Sequence, residues 1–211
     1  MRSGVRIPTS AFMQIIDKIL GPIETRTLLL ICPKTLEAII VDPSFYSFQH
    51  FKPIIDEKQL FLKGVFLTHS HYDHIADAAK FRSLGINVYV HGLDQKNLIA
   101  PGSDGLRMIH GLEGVSDPIL IEEGDELSFG EEHFRVIHTP GHSPGSVCFY
   151  FFNRAILLSG DTLFKGGIGR LDLPTGQPEL MEDSLKKLAL IPKHTVVYPG
   201  HGFITTIEEE L

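Results

Sequence analysis

Cysteine is scarce in this chain, basic charge is not in excess, and no long apolar run is present. The 211 residues include two cysteines, Cys32 and Cys148, both inside apolar runs and far apart. That usage fits buried reduced thiols rather than a disulfide framework, and so a cytoplasmic setting. Lys and Arg number 19 against 26 Asp and Glu, a formal charge of −7. An acidic chain repels phosphate backbones, which argues against general nucleic-acid binding. The longest apolar stretches, such as Leu28–Cys32 and Val147–Phe152, have strand length. None approaches the roughly 20 residues of a membrane-spanning helix, so no membrane partner is expected. Repeats and low-complexity linkers are missing too. The opening "MRSGVRIPTSAF" has two arginines and no apolar centre, unlike a secretory signal. Residues 1–12 are expected to be a loose extension, and 13–211 a single domain.

The patterned part of the chain reads as strands near 13–20, 27–32, 38–41, 64–67 and 86–90. Later strands are expected near 119–121, 126–129, 134–138, 146–151, 155–158 and 195–198. Helices are expected over 48–62, 73–84 and 178–190, with a last one opening at "TTIEEE", capped by Thr205 or Thr206. The stretch 91–117 reads as one or two helices and a loop. Strand groups alternate with helices, which implies two sheets with helices packed outside.

Against this background stands an abundance of histidine. Three of the 11 histidines fall in "THSHYDH", Thr68 to His74. A strand precedes that stretch and a helix follows it, so it is a strand-end loop. Alternation puts His69, His71 and Asp73 on comparable sides of an extended segment, and His74 follows on the next turn. Imidazoles and a carboxylate at this spacing suit zinc, iron or manganese. The pattern recurs. "HTPGHSPGS" carries His142, "SGDTLF" carries Asp161 and "YPGHG" carries His201, each in a glycine-containing loop after a strand. Five histidines and two aspartates are enough for two divalent ions sharing one carboxylate. Such a pair can activate a bridging water. His50, His91, His110, His133, His138 and His194 lack the spacing and read as ordinary packing or surface residues.

The four strings "THSHYDH", "PGHSPGS", "GDTLF" and "PGHG" together resemble the metallo-β-lactamase superfamily. The resemblance implies an α+β fold, a four-layer αββα sandwich with metals at one edge of the two sheets. It assigns His69, His71 and His142 to one ion and Asp73, His74 and His201 to the other, with Asp161 bridging. The longer string "GDTLFKGGIGRLDLPTG" resembles the glyoxalase II group, in its short single-domain form. This implies hydrolysis of a small-molecule thioester such as S-D-lactoylglutathione, by attack of a metal-bridging hydroxide that Asp73 helps to orient. A basic position of that family is retained as Arg170, while the aromatic expected two residues later is Asp172, and Phe203 stands where the family has a tyrosine. Arg170 either grips a substrate carboxylate or is a surface, loop-locking arginine. Two alternatives stay open: a persulfide dioxygenase with one iron on His69, His142 and Asp161, and a non-catalytic metal-binding protein on the same fold. Only ten residues follow His201, which leaves an apolar flank that a second copy would cover in a homodimer.

Overall fold

Thr25–Ile31 is a strand buried at every position, so both of its faces must be covered. A computed structural model, which describes residues 12–106 and 111–211, shows what covers them. All of the expected N-terminal extension except Phe12 lies outside the described residues, as does His110.

The N-terminal half runs β1 (Gln14–Leu20), β2 (Thr25–Ile31), β3 (Glu37–Val41), α1 (Ser47–Glu57), β4 (Phe61–Phe66), α2 (Tyr72–Ile75), α3 (Ala78–Arg82), β5 (Val88–His91), α4 (Gln95–Ile99) and β6 (Ile119–Ile121). The C-terminal half runs β7 (Glu126–Phe129), β8 (Glu132–His138), β9 (Val147–Phe151), β10 (Ile156–Gly160), α5 (Pro178–Ala189), β11 (Val196–Pro199), β12 (Thr205–Thr206) and α6 (Ile207–Glu210). Each half makes one six-stranded sheet, in the orders β1-β2-β3-β4-β5-β6 and β12-β11-β10-β9-β8-β7. β3 to β6 pair in parallel, as do β10 and β11, and the remaining pairs are antiparallel.

Alternation along the strands divides the core into three apolar layers. Leu28, Leu30, Ile39 and Phe66 point between the sheets and meet Phe134, Phe149, Phe151 and Leu158. Leu29, Ile31, Ile40 and Val65 point the other way, toward Phe51 and Ile55 of α1 and Phe81 of α3. On the opposite surface Leu157 and Val197 pack with Leu188 of α5 and Ile207 of α6. The result is the αββα sandwich, helix layers outside two sheets. No helix among the described residues is long and apolar enough to cross a membrane.

Two expected helices differ from the structure. The one expected over 48–62 stops at Glu57, continuing through Pro53. The chain turns at Gln59, whose φ is +52°, and β4 begins at Phe61. The helix expected over 73–84 is broken into α2 and α3 at Asp77. The buried Asp77 carboxylate accepts from the Phe48 N–H at 2.8 Å, and its own N–H donates to the Pro43 carbonyl at 2.9 Å. These tertiary ties override a locally helical pattern. The last helix starts as expected, with the Thr206 hydroxyl accepting from the Glu209 N–H at 3.2 Å.

Candidate metal centre and substrate cleft

Because β4 is parallel to β3, and β11 to β10, several strands end at the same edge of the sandwich. β4 runs out into His69 and His71, with Asp73 and His74 on the short helix α2. The turn between β8 and β9 carries His142. Asp161 follows β10 directly, and His201 follows β11 by two residues. All seven residues singled out in the sequence therefore meet at one place.

They meet as two triads. One nitrogen from each of His69, His71 and His142 lies within 4.8 Å of the others, and so do single donor atoms of Asp73, His74 and His201. Asp161 stands between the triads. Its Oδ1 is 3.4 Å from His74 Nε2, and its Oδ2 is 3.4 Å from His142 Nε2 and 3.6 Å from His201 Nε2. Asp73 Oδ2 lies 3.2 Å from His74 Nε2 and 3.3 Å from His201 Nε2. All but His201 are buried.

Hydrogen bonds behind the cluster set the tautomers. His74 Nδ1 donates to Asp42 at 2.9 Å, His142 Nδ1 to the Arg170 carbonyl at 2.8 Å, and His201 Nδ1 to the Ile23 carbonyl at 3.1 Å. With the proton committed outward, each Nε2 lone pair faces inward. His69 Nδ1 contacts the Thr68 hydroxyl at 3.2 Å, and that hydroxyl donates to Asp42 at 2.6 Å. His71 Nδ1 sits 2.8 Å from His142 Nε2, a spacing at which both lone pairs can turn to one cation.

The donor set fits divalent metal on this structure's own terms. The inward atoms His69 Nε2, His74 Nε2 and Asp161 Oδ1, together with His71 Nε2, are buried without a hydrogen-bond partner. Such atoms are costly unless something coordinates or bonds them. Burial pushes the His71 ring down to about 3, and pushes His69 well down, so both are neutral ligands at ordinary pH. Burial alone would raise the two carboxylates, but His74 and its neighbours outweigh it and hold Asp73 and Asp161 ionised. The same acids draw protons to His74 and His201 despite burial. A bound cation competes directly with those protons.

The sequence reading missed the groups that hold this cluster in place. Asp42, at the end of β3, accepts from the Thr68 N–H at 2.7 Å as well as from Thr68 Oγ1 and His74. Asp94 ties two metal-bearing loops together, accepting from the Ser70 N–H at 2.7 Å, the Ser143 hydroxyl at 3.0 Å and the Gly145 N–H at 2.7 Å. Thr25 donates to Asp73 Oδ2 at 2.7 Å. Arg26 clamps the His201 loop through the Pro199 carbonyl at 2.6 Å and the Gly202 carbonyl at 2.9 Å. Asp42 carried one legible signal: like Asp161, it directly follows an apolar strand.

The cluster forms the floor of a cleft of about 660 Å³, whose walls include Ile23, Tyr72, Phe164, Leu173 and Pro174. Arg170 lines the cleft. Its side chain is exposed and paired with Asp172, through Nε and Nη2 at 2.9 Å each. Its carbonyl, rather than its guanidinium, is what touches the cluster. His91 and His138 stack on each other, ring centroids 4.1 Å apart, and do not join the cluster.

A histidine–aspartate donor set at the strand-end edge of an αββα sandwich defines a class, the metallo-hydrolases. The chain belongs to the metallo-beta-lactamase superfamily, whose family description matches residues 28–201. It is 39% identical over 195 residues to the probable metallo-hydrolase YqgX of Bacillus subtilis, covering 90% of each chain. It is 31% identical over 179 residues to the hydroxyacylglutathione hydrolase GloC of Haemophilus influenzae, covering 82% of this chain and 84% of that one. Among solved structures, BLEG-1 B3 metallo-beta-lactamase superposes with a TM-score of 0.85 at 35% identity, over 93% of this chain and 95% of its own. TTHA1623 in a di-iron-bound form superposes with a TM-score of 0.77 at 34% identity, over 92% and 96%.

Proposed function

We propose that this protein is a metal-dependent hydrolase of small-molecule thioesters. The observation that carries the reading is the pair of donor triads with Asp161 between them, opening on a cleft large enough for a small substrate. The likeness to a hydroxyacylglutathione hydrolase supports the choice of thioester.

His69, His71 and His142 would hold one divalent ion, and Asp73, His74 and His201 a second, with Asp161 reaching both. Zinc suits such a donor set, and iron is the metal of one similar structure. When bound, two such ions supply an activated water and polarise the carbonyl under attack. Asp73 orients the attacking water. Its Oδ2 is itself held by the Thr25 hydroxyl, so the carboxylate has a fixed direction. The Arg170 and Ile23 carbonyls and the Asp42 carboxylate keep three imidazoles aimed at the cluster throughout the reaction. A thiolate whose conjugate thiol has a pKa of ~8.5 leaves without a strong general acid.

The test is thioester hydrolysis by protein with verified metal content, S-D-lactoylglutathione among the substrates, with and without a chelator. Chelator-sensitive thiol release is expected. Metal-loaded protein that cleaves no thioester, particularly if it opens a β-lactam probe, would refute the reading.

A further inference from the structure

The described walls of the cleft carry little charge of either sign beyond the metal cluster itself. Ile23 reaches in from the turn between β1 and β2, Leu106 from the segment after α4, Phe164 from the loop after β10, and Leu173 and Pro174 from the segment before α5. Phe164 stands edge-on to His201, with ring centroids 6.1 Å apart, so the apolar wall begins directly at the cluster. Glutathione brings two carboxylates and an ammonium, and its recognition calls for fixed cations. Among the described lining residues there is no lysine and one arginine, Arg170. One edge of the Arg170 guanidinium, Nε and Nη2, is already bonded to Asp172, whose charge offsets its own. A carboxylate that displaced Asp172 would still lie beside its negative charge, on a chain that is acidic overall.

We propose that the cleft selects thioesters with an uncharged, apolar arm, and that Asp172 sets this selectivity by occupying Arg170. The inference rests on the thioester reading above and narrows it to a substrate class. Arg170 and Asp172 act here as specificity residues, without a part in bond breaking.

Three probes test it on the full-length, metal-loaded chain. Hexanoyl-N-acetylcysteamine is neutral and apolar, acetyl-N-acetylcysteamine is neutral and short, and S-hexanoylglutathione keeps the hexanoyl group but adds the charged arm. The hexanoyl-N-acetylcysteamine kcat/KM is expected to exceed that of each of the others by roughly tenfold or more, chiefly through KM, since each methylene buried against the wall adds binding. Asp172→Asn frees Arg170, and should lower KM for S-hexanoylglutathione by about fivefold while moving that for hexanoyl-N-acetylcysteamine by less than about twofold. Leu173→Asn should raise KM for the hexanoyl probes and spare the acetyl one. Preference for S-hexanoylglutathione by the unaltered chain, or an unchanged KM for it in D172N, overturns the inference and leaves the thioester reading intact. Inertness toward all three probes removes the thioester reading itself, and the inference with it.

Discussion

Asp42 and His74 are joined at 2.9 Å, Nδ1 donating to Oδ2, from the side of the imidazole that faces away from the metal cluster. The same oxygen takes the Thr68 hydroxyl, whose other contact is His69. One carboxylate thus fixes a ligand in each triad. Its φ of +50° lies in the left-handed region, where aspartate and asparagine are the most tolerated side chains after glycine.

Asp42→Asn keeps the backbone conformation and the size. It replaces one acceptor oxygen by an amide nitrogen, so the bonds to His74 and to Thr68 cannot all survive. Metal affinity is expected to fall by about 10- to 100-fold, the usual scale for losing the partner behind a ligating histidine. Competition against a chromogenic chelator measures this. Unchanged affinity would show that His74 needs no such support.

Gly200 packs its backbone against the cluster. A Cβ there would run into Asp161 Oδ1 and come within 2.8 Å of His74 Cε1. Gly200→Ala should therefore displace donors of the second triad. Turnover is expected to drop by ~100-fold or more, because misplacement of about an ångström costs that much. The far-UV circular dichroism should stay as it was. A variant with full metal content and full activity would contradict the packing.

Cys148 lies between Thr139 and the β10 strand. Burial pushes its thiol up to about 11, partly offset by hydrogen bonds from Thr139 and Thr162. It should resist iodoacetamide at pH 8 in the native protein and react once denaturant is added, as read by peptide mass. The linkage has a definite sign. The unfolded thiol loses its proton near 9 and the folded one near 11, so the stability it contributes is present below pH 9 and is lost as pH rises from there to 11. Rapid native labelling would place the thiol at the surface.

The sandwich and the seven cluster residues were legible because both are written in local pattern. Strand-length apolar runs alternate with helical ones, and four strand ends each carry a histidine or aspartate, three of them beside glycine. What stayed hidden depends on distance in sequence. Asp42 acts 26 and 32 residues away, on Thr68 and His74, and Asp94 acts 49 away, on Ser143. No spacing rule connects such positions. Asp77 shows the same limit in the fold: its ties to Pro43 and Phe48 split a helix that its own neighbourhood favours. Arg170 was marked for its guanidinium, yet its carbonyl is what steadies His142, and a backbone role leaves no trace in residue type.

The division of the cluster between the two halves of the chain has a mechanical consequence. His69 and His71 come from the N-terminal sheet and His142 from the C-terminal one; Asp73 and His74 come from the first and His201 from the second. Neither half owns a complete triad. The apolar layer between the sheets resists their separation, and the Asp94 and Arg26 hydrogen bonds tie the halves together beside the cluster. An ion in either triad is a clasp with two fingers from one hand and one from the other. It would lock the alignment of the hands, and each loss of metal would loosen the seam along which the molecule is folded.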